Sequence, residues 1–238
     1  MRPSTFILVH GAWHGAWCWH RLIPLLEAGG ARVIAPDLPS MGADTSPAEG
    51  VTLDSWARSV AALAEGEPGC RLVGHSRAGV IISRAAQLAP RSVGRLVYLS
   101  AYLLRAGDSV AAEARRDSGS LISANMIASR SGVTCALRPE VLRDAFYGDC
   151  TDEDFAFAGA HLSPEPLKPL VTPLRITDEA FGSVPRHYIE TTRDRAVSLD
   201  AQRRMQAALP CATVSTLDTG HSPFLAQPEA LARILISI

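Results

Sequence analysis

From Thr5 onward, short apolar runs alternate with amphipathic stretches, and that alternation is what most restricts the folds open to this chain. A run too short to be a helix, followed by a stretch with one apolar face, is the signature of parallel strands joined by crossover helices. Residues 5–9 read as a strand, 10–15 as a loop, and 19–28 as a helix stopped by Gly29-Gly30. A strand follows at 32–35. Thr52 is placed to cap a helix whose residues Leu53, Trp56, Val60 and Leu63 share one face, with Gly66 beyond its end. Then come a strand at 71–75, a sharp turn at Ser76, a helix over 78–89 closed by Pro90, and a strand at 96–99. The rhythm breaks between residues 105 and 177, where an acidic stretch at 149–154 precedes Pro164, Pro166, Pro169 and Pro173. It resumes with strands at 186–190 and 212–215, a helix at 198–209 and a final helix reaching Ile238. The expectation is an α/β fold with a mostly parallel, doubly wound sheet. Its core comprises residues 1–104 and 178–238, and residues 105–177 form an inserted cap.

Composition narrows the functional classes. Over 238 residues, 23 Lys+Arg against 24 Asp+Glu leave a formal net charge of -1, without the basic excess that phosphate binding requires, so no nucleic-acid partner is expected. Charged residues make up 20% with no long like-charge block, which argues against disorder. No apolar stretch approaches the ~18 residues of a membrane span, and Phe6-Ile7-Leu8-Val9 is too short for a signal-peptide core; a cytoplasmic protein with no membrane partner is expected. Five scattered cysteines, Cys18, Cys70, Cys135, Cys150 and Cys211, fit neither a disulfide framework nor a metal site, and read as buried free thiols. The glycine-rich segments lack dinucleotide and P-loop spacing, so neither cofactor nor metal is expected. A homodimer is left open.

The chemistry concentrates in Gly74-His75-Ser76-Arg77-Ala78-Gly79, between an expected strand and an expected helix. A nucleophile on so tight a turn sits on strained backbone, and the residues two before and two after it must be small because strand and helix nearly collide. Gly74 and Ala78 meet that demand, although the usual pattern has glycine where this chain has Ala78. A serine hydroxyl needs a base, and the base needs a carboxylate to fix its tautomer. Of seven histidines, His221 lies in the loop 218–223 between the last strand and the last helix, where the ends of a parallel sheet gather functional groups. Asp194 directly follows the strand ending near Thr191; Asp178, Asp200 and Asp218 compete, but Asp200 suits the first turn of a helix and Asp218 shapes the His221 loop. Two backbone donors for an oxyanion are expected from Arg77, after the nucleophile, and from Ala12 in the first loop, with His10 bracing that loop.

The segments Leu8-Val9-His10-Gly11-Ala12-Trp13-His14-Gly15-Ala16-Trp17, Gly74 to Gly79, Thr191-Thr192-Arg193-Asp194 and Gly220-His221-Ser222-Pro223 resemble the α/β-hydrolase superfamily, and most of all its branch of plant methylesterases, hydroxynitrile lyases and bacterial esterases. The resemblance runs from Thr5 to the C-terminus and is weakest in the cap. It implies an α/β-hydrolase fold, Ser76, Asp194 and His221 as a triad, the Ala12 and Arg77 amides as oxyanion hole, and a small-molecule ester as substrate. Lyases of the plant type carry Thr after the first-loop His and Lys after the catalytic His, where this chain has Gly11 and Ser222. That weakens a cyanohydrin-cleaving alternative; a thioesterase and a non-catalytic binder of small ligands are the others. By the same analogy the pocket lies between sheet and cap, with Trp13, His14, Tyr102 and Leu103 as walls and Met126, Phe146 and Phe157 contributed by the cap. The Arg77 side chain is expected to be solvated.

Overall fold

The structure is a computed structural model, and it describes residues 4–238. Strand β1 (Thr5–Val9) leads through a 3-10 turn (Ala16–Trp19) into α1 (Leu22–Ala28), followed by β2 (Arg32–Ile34), α2 (Leu53–Gly66), β3 (Cys70–His75), α3 (Ala78–Leu88) and β4 (Val93–Leu99). The next segment contributes α4 (Val110–Arg116), β5 (Met126–Ala128), β6 (Thr134–Leu137), α5 (Pro139–Phe146), α6 (Asp152–His161), β7 (Glu165–Pro166) and α7 (Leu167–Val171). The chain then returns to β8 (Arg186–Thr191), α8 (Leu199–Ala208), β9 (Thr213–Leu217), α9 (Pro223–Ala226) and α10 (Pro228–Ser237).

Six strands form one parallel sheet in the order β2-β1-β3-β4-β8-β9. The chain steps from β1 outward to β2, then crosses back past β1 to β3. With right-handed crossovers, that reversal puts α1 on one face and α2 and α3 on the other. The packing agrees: α1 lies against α10, and α2 against α3. The reversal also opens a crevice at the carboxyl ends of β1 and β3, the position where open α/β sheets place their sites. Register brings the two loops together there, because Val9 pairs with Gly74 and His75 pairs with Leu99.

Local sequence accounts for the elements. Thr52 and Ser55 form a reciprocal capping box at the start of α2, whose Leu53, Trp56 and Val60 are buried. The helix expected from residue 19 begins only at Leu22, because Cys18 and His20 donate backwards to Gly15 and Trp17 in a 3-10 turn. Four of the cysteines are buried free thiols as expected, but Cys211 is half-buried, since the segment entering edge strand β9 faces outward. Between β4 and β8 lies a second, antiparallel sheet in the order β5-β6-β7, in which Cys135 stands opposite Glu165. Among the described residues, no helix is long and apolar enough to cross a membrane.

Candidate active site

At the end of β3 the backbone turns through Ser76 with a φ of 55°, a left-handed conformation that costs a non-glycine residue about 1–3 kcal/mol. The surroundings hold it there. Its N–H donates to Leu99 at 3.1 Å, and its carbonyl accepts from Tyr102 at 3.0 Å and Gly79 at 3.1 Å. A Cβ on Gly79 would overlap the Tyr102 carbonyl, whereas the methyl of Ala78 is accommodated in the core. The departure from the usual motif is therefore tolerated at position 78, and the closest approach falls one residue later.

Asp194 and His221 meet across the loops that follow β8 and β9. His221 Nδ1 lies 2.7 Å from Asp194 Oδ2, and both side chains are almost wholly buried. Asp194 Oδ1 accepts from the Ala196 and Val197 amides at 2.7 and 2.9 Å, while Thr191 Oγ1 sits 3.1 Å from Oδ2. A carboxylate so fully occupied keeps one orientation and fixes the tautomer of the imidazole it faces, which leaves Nε2 for proton transfer. The His221 ring lies 4.5 Å from that of His75, centroid to centroid, and His75 Nε2 donates to the His221 carbonyl at 2.8 Å. This contact seats His221 beside the residue that precedes Ser76. Among the described residues no hydrogen bond joins Ser76 to His221. Burial, and then the neighbouring His221, push the pKa of His75 well below its ordinary value, so it is neutral.

The loop after β1 lies flat against this turn. A Cβ on Gly11 would stand 2.8 Å from His75 Nδ1 and 3.1 Å from Ser76 Cβ, so only glycine permits the approach. His10 lies 2.9 Å from the Gly11 carbonyl through Nδ1 and accepts from the Leu38 amide at 3.3 Å. Among the described residues the Ala12 and Arg77 amides have no hydrogen-bond partner, and both residues line the same cavity as Ser76.

That cavity measures about 280 Å³. Trp13, Tyr102, Met126 and Phe146 line it as expected, joined by Val110, Ala114, Ile122, Leu167, Leu170 and Ala196, so its wall is mainly aliphatic. His14, Leu103 and Phe157 do not. His14 is buried behind the loop, 2.7 Å from both the Ala12 carbonyl and the Tyr147 hydroxyl, and burial lowers its pKa to about 4. Leu103 packs into the core, and Phe157 stacks near His20 and His161 on the far side of the 3-10 turn.

The Arg77 side chain departs from expectation more sharply. It is buried, not solvated, with its guanidinium 4.3 Å over the Trp56 ring and its Nε 2.8 Å from Glu165 Oε1. Burial alone would leave a cation there at great cost, and Glu165 supplies the counter-charge. Burial pulls the Arg77 pKa down and pushes the Glu165 pKa up, while each is opposed by its partner. Glu165 had no sequence signal: it is one acid between two prolines in the least regular part of the chain. Thr191 stands in the sequence as a strand end and as the first residue of the segment running to Asp194, with nothing there to mark its contact with the Asp194 carboxylate. No group of three or more His, Cys, Asp or Glu among the described residues could hold a metal ion.

A parallel sheet with a strained serine turn at its switch point, and a histidine–carboxylate pair beyond two later strands, defines the chain as an α/β hydrolase. It belongs to the alpha/beta hydrolase family, whose model matches residues 6–234. It is 31% identical to putative methylesterase 11, chloroplastic, of Arabidopsis thaliana over its whole length, while spanning 64% of that relative. It is 30% identical to the alpha-hydroxynitrile lyase of the same plant, covering 100% of this chain and 97% of the lyase. Among solved structures, a pyrethroid hydrolase from Sphingobium faniae JZ-2 superposes with a TM-score of 0.85 at 30% identity, covering 98% of this chain and 96% of the other.

Proposed function

We propose that this chain hydrolyses a small carboxylic ester with an apolar acyl or alcohol group through an acyl-enzyme. Ser76 Oγ attacks the ester carbonyl carbon and its proton passes to His221 Nε2, while Asp194 holds the imidazole and stabilises its charged form. The tetrahedral oxyanion accepts hydrogen bonds from the Ala12 and Arg77 amides, each worth about 3 kcal/mol of barrier when well placed. Collapse expels the alkoxide, which takes the proton from His221. Water, deprotonated by His221, then attacks the acyl carbon, and Ser76 leaves with that proton.

The observation that carries this reading is the Asp194–His221 pair seated, through His75, against the strained turn of a cavity-lining serine. The aliphatic wall fits an apolar substituent, in keeping with a relative named as a pyrethroid hydrolase. Cyanohydrin cleavage, as the lyase relative's name would suggest, finds no ammonium at Ser222 and no hydroxyl at Gly11. The test is turnover of short p-nitrophenyl and methyl esters by the wild-type chain and by Ser76→Ala. The variant should lose at least about 10³-fold in kcat and escape labelling by a serine-directed phosphonate. Undiminished turnover by Ser76→Ala, cyanide release from a cyanohydrin in place of ester cleavage, faster thioester than oxoester hydrolysis, or stoichiometric ligand retention without turnover would each overturn it.

A further inference from the structure

Trp13 follows the expected oxyanion donor Ala12 and has a φ of 62°, a left-handed conformation that a bulky side chain seldom adopts. Such a conformation persists only where neighbours over-determine it. Among the described residues, every hydrogen bond that holds Trp13 comes from the segment between β4 and β8. Its N–H donates to Glu165 Oε2 at 3.1 Å, its carbonyl accepts from the Ser163 amide at 2.9 Å, and its indole Nε1 donates to the Cys135 carbonyl at 3.0 Å. Glu165 reaches further. Its carboxylate also holds Arg77, whose Nη2 donates to the Gly11 carbonyl at 2.9 Å.

Glu165 and Arg77 thus grip the first loop on both sides of Ala12, one at the Trp13 amide and the other at the Gly11 carbonyl. Arg77 also supplies the second expected oxyanion amide. We infer that the buried Glu165–Arg77 pair is a positioning device that sets the direction of the Ala12 amide toward the developing oxyanion, so that the antiparallel sheet β5-β6-β7 completes the oxyanion hole from outside the core. This rests on the reading of Ala12 as an oxyanion donor. The Gly11 carbonyl shares its peptide plane with the Ala12 N–H, so rotation of that plane would swing the donor out of reach, and the hydrogen bond to the Trp13 amide fixes the plane on the other side of Ala12. A mere stabilising ion pair would not need to touch that loop twice.

The experiment compares Glu165→Gln, which leaves a buried guanidinium without its counter-ion, with the double variant Arg77→Met/Glu165→Gln, which removes both charges and restores electrical balance. Thermal midpoint, kcat, KM and the affinity for a trifluoromethyl ketone that forms a tetrahedral adduct on serine are measured for each. The single variant should melt lower, and the double variant close to wild type. Both should lose at least about tenfold in kcat and in affinity for the ketone, with KM held within about threefold. A double variant with wild-type kcat, or one whose loss lies wholly in KM, would overturn the inference. Ser76→Ala separates the two levels: an active Ser76→Ala sinks the hydrolase reading itself. An inactive Ser76→Ala beside a fully active double variant sinks only the positioning role.

Discussion

At the scale of single residues, the site depends on hydrogen bonds that leave each group one orientation. Asp194 is the clearest case, because Oδ1 is committed to the Ala196 and Val197 amides and Oδ2 alone faces His221. In Asp194→Asn the amide oxygen would stay with the two backbone donors and the amide nitrogen would turn to His221 Nδ1. The imidazole would then have to accept at Nδ1 and carry its proton on Nε2, where it can no longer take one from Ser76. Asp194→Asn is expected to fall in kcat by roughly 10⁴-fold with little change in KM or in thermal midpoint. Steady-state kinetics and a melting curve check this; a loss under tenfold would mean that Asp194 does not set the tautomer. Asp194 and His221 were legible in the sequence because each sits just past a strand that the apolar pattern reveals. Thr191 Oγ1 and Gln202 Nε2, which lie 3.1 and 3.5 Å from Asp194 Oδ2, were not, because no spacing rule connects a strand end to a residue on α8.

At the scale of elements, the parallel strands and their helices could be read from sequence because each carries its own signal. The capping box of Thr52 and Ser55 and the buried stripe Leu53, Trp56 and Val60 specify α2 without reference to any neighbour. The sheet β5-β6-β7 carries none: its strands have three, four and two residues, and β7 includes Pro166. It forms because Cys135 and Glu165 can pair across it and because Trp13 offers partners to both. The same blindness to space hid Glu165 and misplaced the Arg77 side chain, which composition would leave in solvent. Close approach between α3 and the loop after β4 is another relation only the folded chain shows. Gly79→Ala would drive a methyl into the Tyr102 carbonyl, and that carbonyl belongs to the segment whose amide holds Ser76. The expected cost is about 1–3 kcal/mol in urea unfolding, together with slower phosphonate labelling of Ser76. Unchanged stability would show that the Tyr102 segment gives way freely.

At the scale of the whole molecule, the carboxyl end of the sheet is packed with buried histidines that the fold holds uncharged. Burial is the largest cause in each case: His10 and His75 are pushed well below their ordinary value, and His14 from 6.5 to about 4. Each would be protonated in the unfolded chain near pH 6 but stays neutral in the folded one, so below about pH 6.5 the unfolded state binds more protons. Stability must then fall as pH falls, beginning at the unfolded-state value and continuing to the lower folded-state value. For a histidine that titrates near 4 when folded, the loss reaches about 1.4 kcal/mol by roughly pH 5.5, and His10, His14 and His75 act in the same direction. Carboxylates held by an arginine partner near the surface act in a lower window. Asp54, lowered by its Arg84 partner, and Glu190, lowered by Arg203, contribute stability that is lost only as pH drops through and below the ordinary carboxylate range. Glu165, whose pKa burial raises, is the exception: the folded chain binds its proton first, so as pH falls it opposes the loss from the histidines. The urea midpoint of the wild-type chain is expected to decline from about pH 6.5 to 5, because three histidines act against one raised carboxylate and the arginine-paired carboxylates are still ionised. A midpoint that stayed level down to pH 5 would mean that the buried imidazoles gain protons without unfolding the rim of the sheet, and that the packing around Ser76 is looser than its hydrogen bonds imply.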